Sequence, residues 1–134
     1  VKRCKMAMLT EMVTGGKISE SAYLCLKLAW IYRGEIQEAK ANGAAQERIS
    51  MYEKYEKEYL EDAYRGFKQA RETEYPPIAG MDENTITYLL TSIGIHCGKI
   101  DEARRYGSAL LISRTASMKL KNKTRDVLEI IKKN

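Results

Sequence analysis

The amino-acid sequence predicts an all-α fold of about six helices joined as hairpins, on three observations. Glycine and proline fall in short clusters, at Gly15-Gly16, Gly34, Gly43, Pro76-Pro77, Gly80 and Gly98, where turns and helix ends are expected. Between these clusters apolar residues recur every three or four positions, the spacing of one helix face. No stretch alternates apolar and polar residues as a half-buried strand would.

The first helix is expected from about Lys2 to Val13, with Met6, Leu9 and Val13 on one side and Gly15-Gly16 ending it. Ser19 reads as the N-cap of the second, with Ile18 and Tyr23 placed as a hydrophobic staple. That helix carries Ala22, Cys25, Leu26, Ala29 and Trp30 towards Gly34, a face wide enough to be buried against more than one neighbour. The third, from about Ala44 to Glu74, is highly charged, yet Tyr52, Tyr55, Tyr59, Ala63, Phe67 and Ala70 form one stripe. At 1.5 Å per residue it is about 40 Å long. Pro76-Pro77 breaks the chain, and Asp82 reads as the next N-cap, stapled by Met81 and Ile86. The fourth helix runs to about Cys97 and the fifth from Asp101 to about Thr115. The last carries Leu120, Thr124, Val127 and Ile131.

Residues Gly98-Lys99-Ile100-Asp101-Glu102-Ala103 resemble the turn between the two helices of a tetratricopeptide repeat, with Leu90 at the packing position eight residues earlier. Ala63, Phe67 and Ala70 have the small, large, small spacing of that repeat's second helix, and Pro76 follows where such a repeat often ends. Small residues let two helices approach closely while the aromatic fills the gap beside them. Gly34-Glu35-Ile36-Gln37-Glu38-Ala39, with Leu26 upstream, also matches the turn and competes as the start of the first second helix. We favour Ala63/Phe67/Ala70, which makes residues 35 to about 50 an insertion that lengthens the second helix or forms a separate turn, broken at Ala41-Asn42-Gly43. The expected architecture is a tetratricopeptide-like, right-handed α-α superhelix in a single domain over residues 1–134. Because the chain starts at Val1 rather than a methionine, it is expected to be a fragment of a longer protein.

A more particular likeness lies in Ala22-Tyr23-Leu24-Cys25-Leu26-Lys27-Leu28-Ala29-Trp30-Ile31-Tyr32-Arg33-Gly34. Pro77-Ile78-Ala79-Gly80-Met81-Asp82, Ser113-Arg114 and Leu120-Lys121-Asn122-Lys123-Thr124-Arg125-Asp126 extend it over most of the chain from Ala22 onward. These runs resemble an uncharacterised bacterial family, domain of unknown function 2225. The resemblance implies a tetratricopeptide-like fold and a bacterial, cytoplasmic protein, and it implies no known activity. Members usually carry a Cys-rich, metal-binding segment ahead of the helical part, which nothing in this sequence matches.

Composition narrows the functional classes. With 134 residues, 44% hydrophobic and 31% charged, the chain has the balance of an ordinary soluble domain large enough to bury a core without a metal or disulfide. Its apolar runs, such as Tyr88 to Leu90 or Ala109 to Ile112, are far shorter than the roughly 20 residues of a membrane span. Lys2, Arg3 and Lys5 lead into a mixed stretch without the apolar core of a secretory leader. The widely spaced thiols Cys4, Cys25 and Cys97 suit a reducing, cytoplasmic setting.

Catalysis is not expected, because the lone histidine, His96, has no carboxylate three or four residues away on its helix. His96 and Cys97 are adjacent and so diverge on a helix, Cys4 and Cys25 lack ligand spacing, and Gly15-Gly16 lacks the Lys-Ser/Thr of a phosphate loop. No cofactor or metal is therefore expected. A hairpin array offers instead a concave groove. Tyr88, Ser92 and His96 fall at i, i+4 and i+8 and would line it, as would Tyr32 beside Leu24 and Leu28, with Arg33 or Arg104 holding an acidic group of a peptide or partner helix. The competing reading is that a flanking helix covers these residues as core. Nine tyrosines against one phenylalanine suggest either a homodimer through the Ala44 to Tyr59 half of the long helix or burial of that stripe against helix one.

The net charge of +5 is not evenly spread. Residues 1–98 hold 13 basic and 14 acidic side chains, whereas residues 99–134 hold 10 and 4. Lys119, Lys121, Lys123 and Arg125 could therefore bind nucleic acid or another polyanion, the alternative to groove binding. A charged cap on a helical array is the simpler reading of the same residues, and nucleic acid is the weaker expectation.

Overall fold

A computed structural model of the chain describes residues 18–73 and 80–132. These residues form five helices and no strand: α1 Ile18–Ala41, α2 Gln46–Thr73, α3 Glu83–His96, α4 Ile100–Leu111 and α5 Met118–Lys132. The helix expected at Lys2 to Val13, its Gly15-Gly16 end, Cys4 and the Pro76-Pro77 break lie outside the described residues. The chain divides into two compact units, residues 1–66 and 67–134.

In the first unit, α1 continues through Gly34, the residue expected to end it. A Cβ on Gly34 would meet nothing within 4 Å, so the residue occupies an open face of the helix. A helix can carry one such glycine at a cost of about 1 kcal/mol, which the burial of Ile36 and Ala39 against Ile49 helps to offset. The real stop is at Gly43, whose φ of 66° places it in the left-handed region. There the Ala44 N–H donates to the Ala39 carbonyl at 2.9 Å, closing the helix end. Residues 35–41 therefore continue α1 instead of lengthening α2, and the chain turns between Ala41 and Gln46, at the expected Ala41-Asn42-Gly43 break. Ser19 lies inside α1 and is fully buried, so it is not the expected cap.

The stripe on α2 follows the sequence closely. Tyr59, Ala63, Phe67 and Ala70 are buried, and Tyr52 and Tyr55 are half-buried. At the boundary of the first unit Gly66 is buried against Ala22 of α1, so close that a Cβ on Gly66 would lie 2.7 Å from the Ala22 Cβ.

In the second unit α3, α4 and α5 pack on one another. Ile86, Leu90, Ala103 and Leu110 are almost fully buried there, and α5 adds Thr124 and Ile131. The N-terminus of α3 forms as expected: an Asp82 carboxylate oxygen accepts from the Thr85 N–H at 2.7 Å, while Ile86 is fully buried. Gly98, at φ 78°, ends α3, and the Lys99 N–H donates to the Gly94 carbonyl at 2.8 Å. Helix α4 stops at Leu111, short of the expected Thr115. Beyond it Ser113 Oγ accepts from the Thr115 and Ala116 N–H groups at 3.2 Å each, a local turn that competes with further helix. Ser117 then caps α5 by accepting from the Leu120 N–H at 3.1 Å.

The Asp82 cap yields a pH-dependent expectation. Its hydrogen bond from the Thr85 backbone holds the carboxyl below its usual pKa of 3.8. A depressed pKa contributes stability above the unfolded value that is lost as pH falls through the folded one. Asp82→Ala is expected to cost about 1 kcal/mol at neutral pH, whereas Asp82→Asn keeps an acceptor and should cost less. Urea titrations at neutral pH and well below pH 3.8, where the folded carboxyl is protonated too, check this, and a penalty for Asp82→Ala that persists undiminished there would contradict it.

Candidate binding cleft

The expected groove residues fall into three environments. In the first unit the Tyr32 ring lies 5.8, 5.4 and 6.0 Å from the rings of Tyr52, Tyr55 and Tyr59, the last of them stacked. Such spacings are those of favourable aromatic pairs, so Tyr32 joins α1 to the tyrosine stripe of α2. Arg33 lies beside it, its Nε 3.6 Å from a Glu56 carboxylate oxygen.

In the second unit Tyr88 and Ser92 are half-buried on α3 and His96 is exposed at its end. Glu102 accepts from Lys68 at 2.7 Å and holds that ammonium's pKa above its ordinary value. The Arg71 guanidinium sits over the Tyr106 ring at 5.2 Å.

Arg104 occupies a different place, the seam between α4 and α5. On α4, Arg104, Ser108 and Leu111 recur at helical spacing, and on α5 Arg125, Leu128 and Lys132 do the same. With Glu129 and Ile131 they line an open cleft of about 450 Å³. Leu111 and Leu128 are half-buried and Ile131 is buried, which gives the cleft an apolar floor. The cations form its edges. Arg104 is 3.9 Å from the fully exposed Asp101, Lys132 is 3.9 Å from Glu129, and Arg125 donates to the Asn122 side-chain carbonyl at 2.9 Å. Ion pairs this long and this exposed contribute little and leave the cations able to exchange partners.

The four residues of the expected basic patch do not act as one surface. Lys119 and Lys123 line a smaller cleft of about 290 Å³ beside Asn84, Thr115 and Ser117, with the Asp82 carboxylate also on its wall. Arg125 faces the α4/α5 seam, and Lys121 is half-buried. The structure thus joins Arg104 of the expected groove to Arg125 of the alternative patch. Ser108, Leu111, Leu128 and Lys132 were not singled out from the sequence, although each sits three, four or seven positions from Arg104 or Arg125.

Among the described residues no cluster of three or more His, Cys, Asp or Glu side chains could hold a metal ion, and no helix is long and apolar enough to cross a membrane. Cys25 is buried and Cys97 half-buried, and neither is in a disulfide.

These features define two compact units, all-helical among the described residues, the second carrying a cleft that mixes cationic edges with an apolar floor. Over residues 1–131 the chain matches the family described as uncharacterized protein conserved in bacteria (DUF2225), and it belongs to that family. No curated protein and no solved structure matches it.

Proposed function

We propose that this chain is a non-catalytic, cytoplasmic protein-docking module of tetratricopeptide-like architecture, and that its α4/α5 cleft receives a segment of a partner protein. The observation that carries the reading is the cleft itself, where Leu111, Leu128 and Ile131 offer apolar contact beneath Arg104, Arg125 and Lys132. Apolar anchors with a polar rim are what peptide- and helix-binding surfaces provide. The tetratricopeptide-like element of the proposal is supported by the buried Ala63, Phe67 and Ala70 and by the Gly98 turn between α3 and α4.

A photo-crosslinking residue at Ser108, inside the cleft, tests the proposal in cells, with Lys57 on the exposed face of α2 as the control position. A discrete protein adduct at 108 that is absent at 57 is the expected result. Equal labelling at both positions, or none at 108, would sink it.

A second reading is favoured by one observation, the placement of Lys119 and Lys123 beside Thr115 and Ser117 in the smaller cleft. It assigns these lysines to a polyanion such as nucleic acid. Oligonucleotide binding that falls steeply with salt and disappears on neutralising both lysines is its signature.

A further inference from the structure

Resting on the docking-module reading, we infer that the occupant of the α4/α5 cleft is an amphipathic helix with acidic flanks. The lining positions recur along both helices, at 104, 108 and 111 on one and at 125, 128 and 132 on the other. Two such ridges with a furrow between them accept the ridge of a third helix. Seven residues of helix span about 10 Å, so the furrow accommodates about two turns of an occupant. Its anchors would be apolar residues spaced i, i+3/i+4 and i+7, meeting Leu111, Leu128 and Ile131.

Charge selects among occupants of that shape. Among the described residues the cleft holds three cations and one carboxylate, Glu129, which already lies 3.9 Å from Lys132. Arg104 meets Asp101 only at 3.9 Å on its own helix and Arg125 donates to the Asn122 side chain, and each guanidinium presents a planar fork suited to two-point contact with an acidic side chain. The surrounding segment reinforces this sign, with 10 basic against 4 acidic residues over positions 99–134. A nucleic-acid strand fits less well, since no aromatic ring lines the cleft among the described residues to stack a base. A small carboxylate would leave the leucine and isoleucine floor uncovered.

The test titrates the full chain, followed by amide NMR, with three synthetic peptides of about four turns. One bears leucines at helical spacing flanked by glutamate, the second replaces glutamate with lysine, and the third scrambles the acidic peptide. Shifts at residues 104–111 and 125–132 with the acidic helix, and binding about tenfold weaker for each of the others, are expected. Arg104→Glu with Arg125→Glu, both at exposed positions, should invert the preference towards the lysine peptide. If the lysine peptide binds the unmodified chain as well as the acidic one, the charge assignment is wrong while docking at the cleft stands. If the scramble binds equally and salt abolishes it, the site is a polyanion surface and the helix is overturned. If no peptide moves the cleft amides, the inference falls, and crosslinking at 108 decides separately whether the docking module survives.

Discussion

Phe67→Ala is expected to lower unfolding free energy by about 3 to 5 kcal/mol, the range for removing a large buried aromatic side chain. Phe67 is fully buried, and so are Ala63 and Ala70 on the same stripe of α2. Their lack of side-chain length matters as much as the ring itself. Methyl groups one turn away cannot swing into the vacated space, so the loss combines transfer of the ring to water with a cavity that persists. Phe67→Leu leaves most of the volume filled and should cost much less. Urea unfolding followed by helical circular dichroism separates the two, and the alanine variant should melt on the order of 10 °C lower. A loss below about 1 kcal/mol would mean that the ring is not fixed in a close-packed site. It would also weaken the tetratricopeptide-like reading, which gives the small, large, small triplet a packing role.

That triplet was legible in the sequence because periodicity is a local property: every third or fourth residue on α2 is apolar, and the structure buries those residues. Asp82 and Gly98 were legible for a related reason, since a cap and a left-handed turn each need a particular residue type at one position. Gly34 shows the limit of such reasoning. Glycine marks a stop only when the backbone needs a positive φ, and tertiary burial of Ile36 and Ala39 carries α1 past it to Gly43. Ser19 was misread similarly, as a cap where the structure has a buried helical residue. The cleft was hidden by a different effect. Lys119, Lys121, Lys123 and Arg125 read as one basic run, but each two-residue step turns the helix by about 200°. Lys119 and Lys123 therefore share one side of α5 and Arg125 another, where it lines one cleft with Arg104, distant in sequence. No composition count contains that partnership, because it depends on how α4 and α5 meet.

Gly66→Ala is expected to destabilise the first unit even though alanine is the better helix former. The intrinsic gain is about 1 kcal/mol. Against it, the added Cβ would stand 2.7 Å from the Ala22 Cβ and 3.3 Å from its Cα. An alanine methyl is rigidly attached to its backbone and cannot rotate away, so α1 and α2 must separate locally, an overpacking penalty of about 1 to 3 kcal/mol. Gly66→Val adds two more methyl groups to the same point and should cost more. Gly107 supplies the contrast, because the nearest atoms a Cβ there would meet belong to the Leu128 side chain, its two methyls at 2.9 Å each and its Cγ at 3.2 Å. These are side-chain atoms with other rotamers available, not backbone, so Gly107→Ala should cost less than Gly66→Ala. Two buried glycines within helices thus acquire different expectations from what stands opposite them. Ala22→Gly in the Gly66→Ala background tests the cause, since moving the methyl from one helix to the other restores the approach distance. A double-mutant cycle by urea unfolding should show a favourable coupling of about 1 kcal/mol or more between positions 22 and 66. Strict additivity would show that the helices do not meet at this pair.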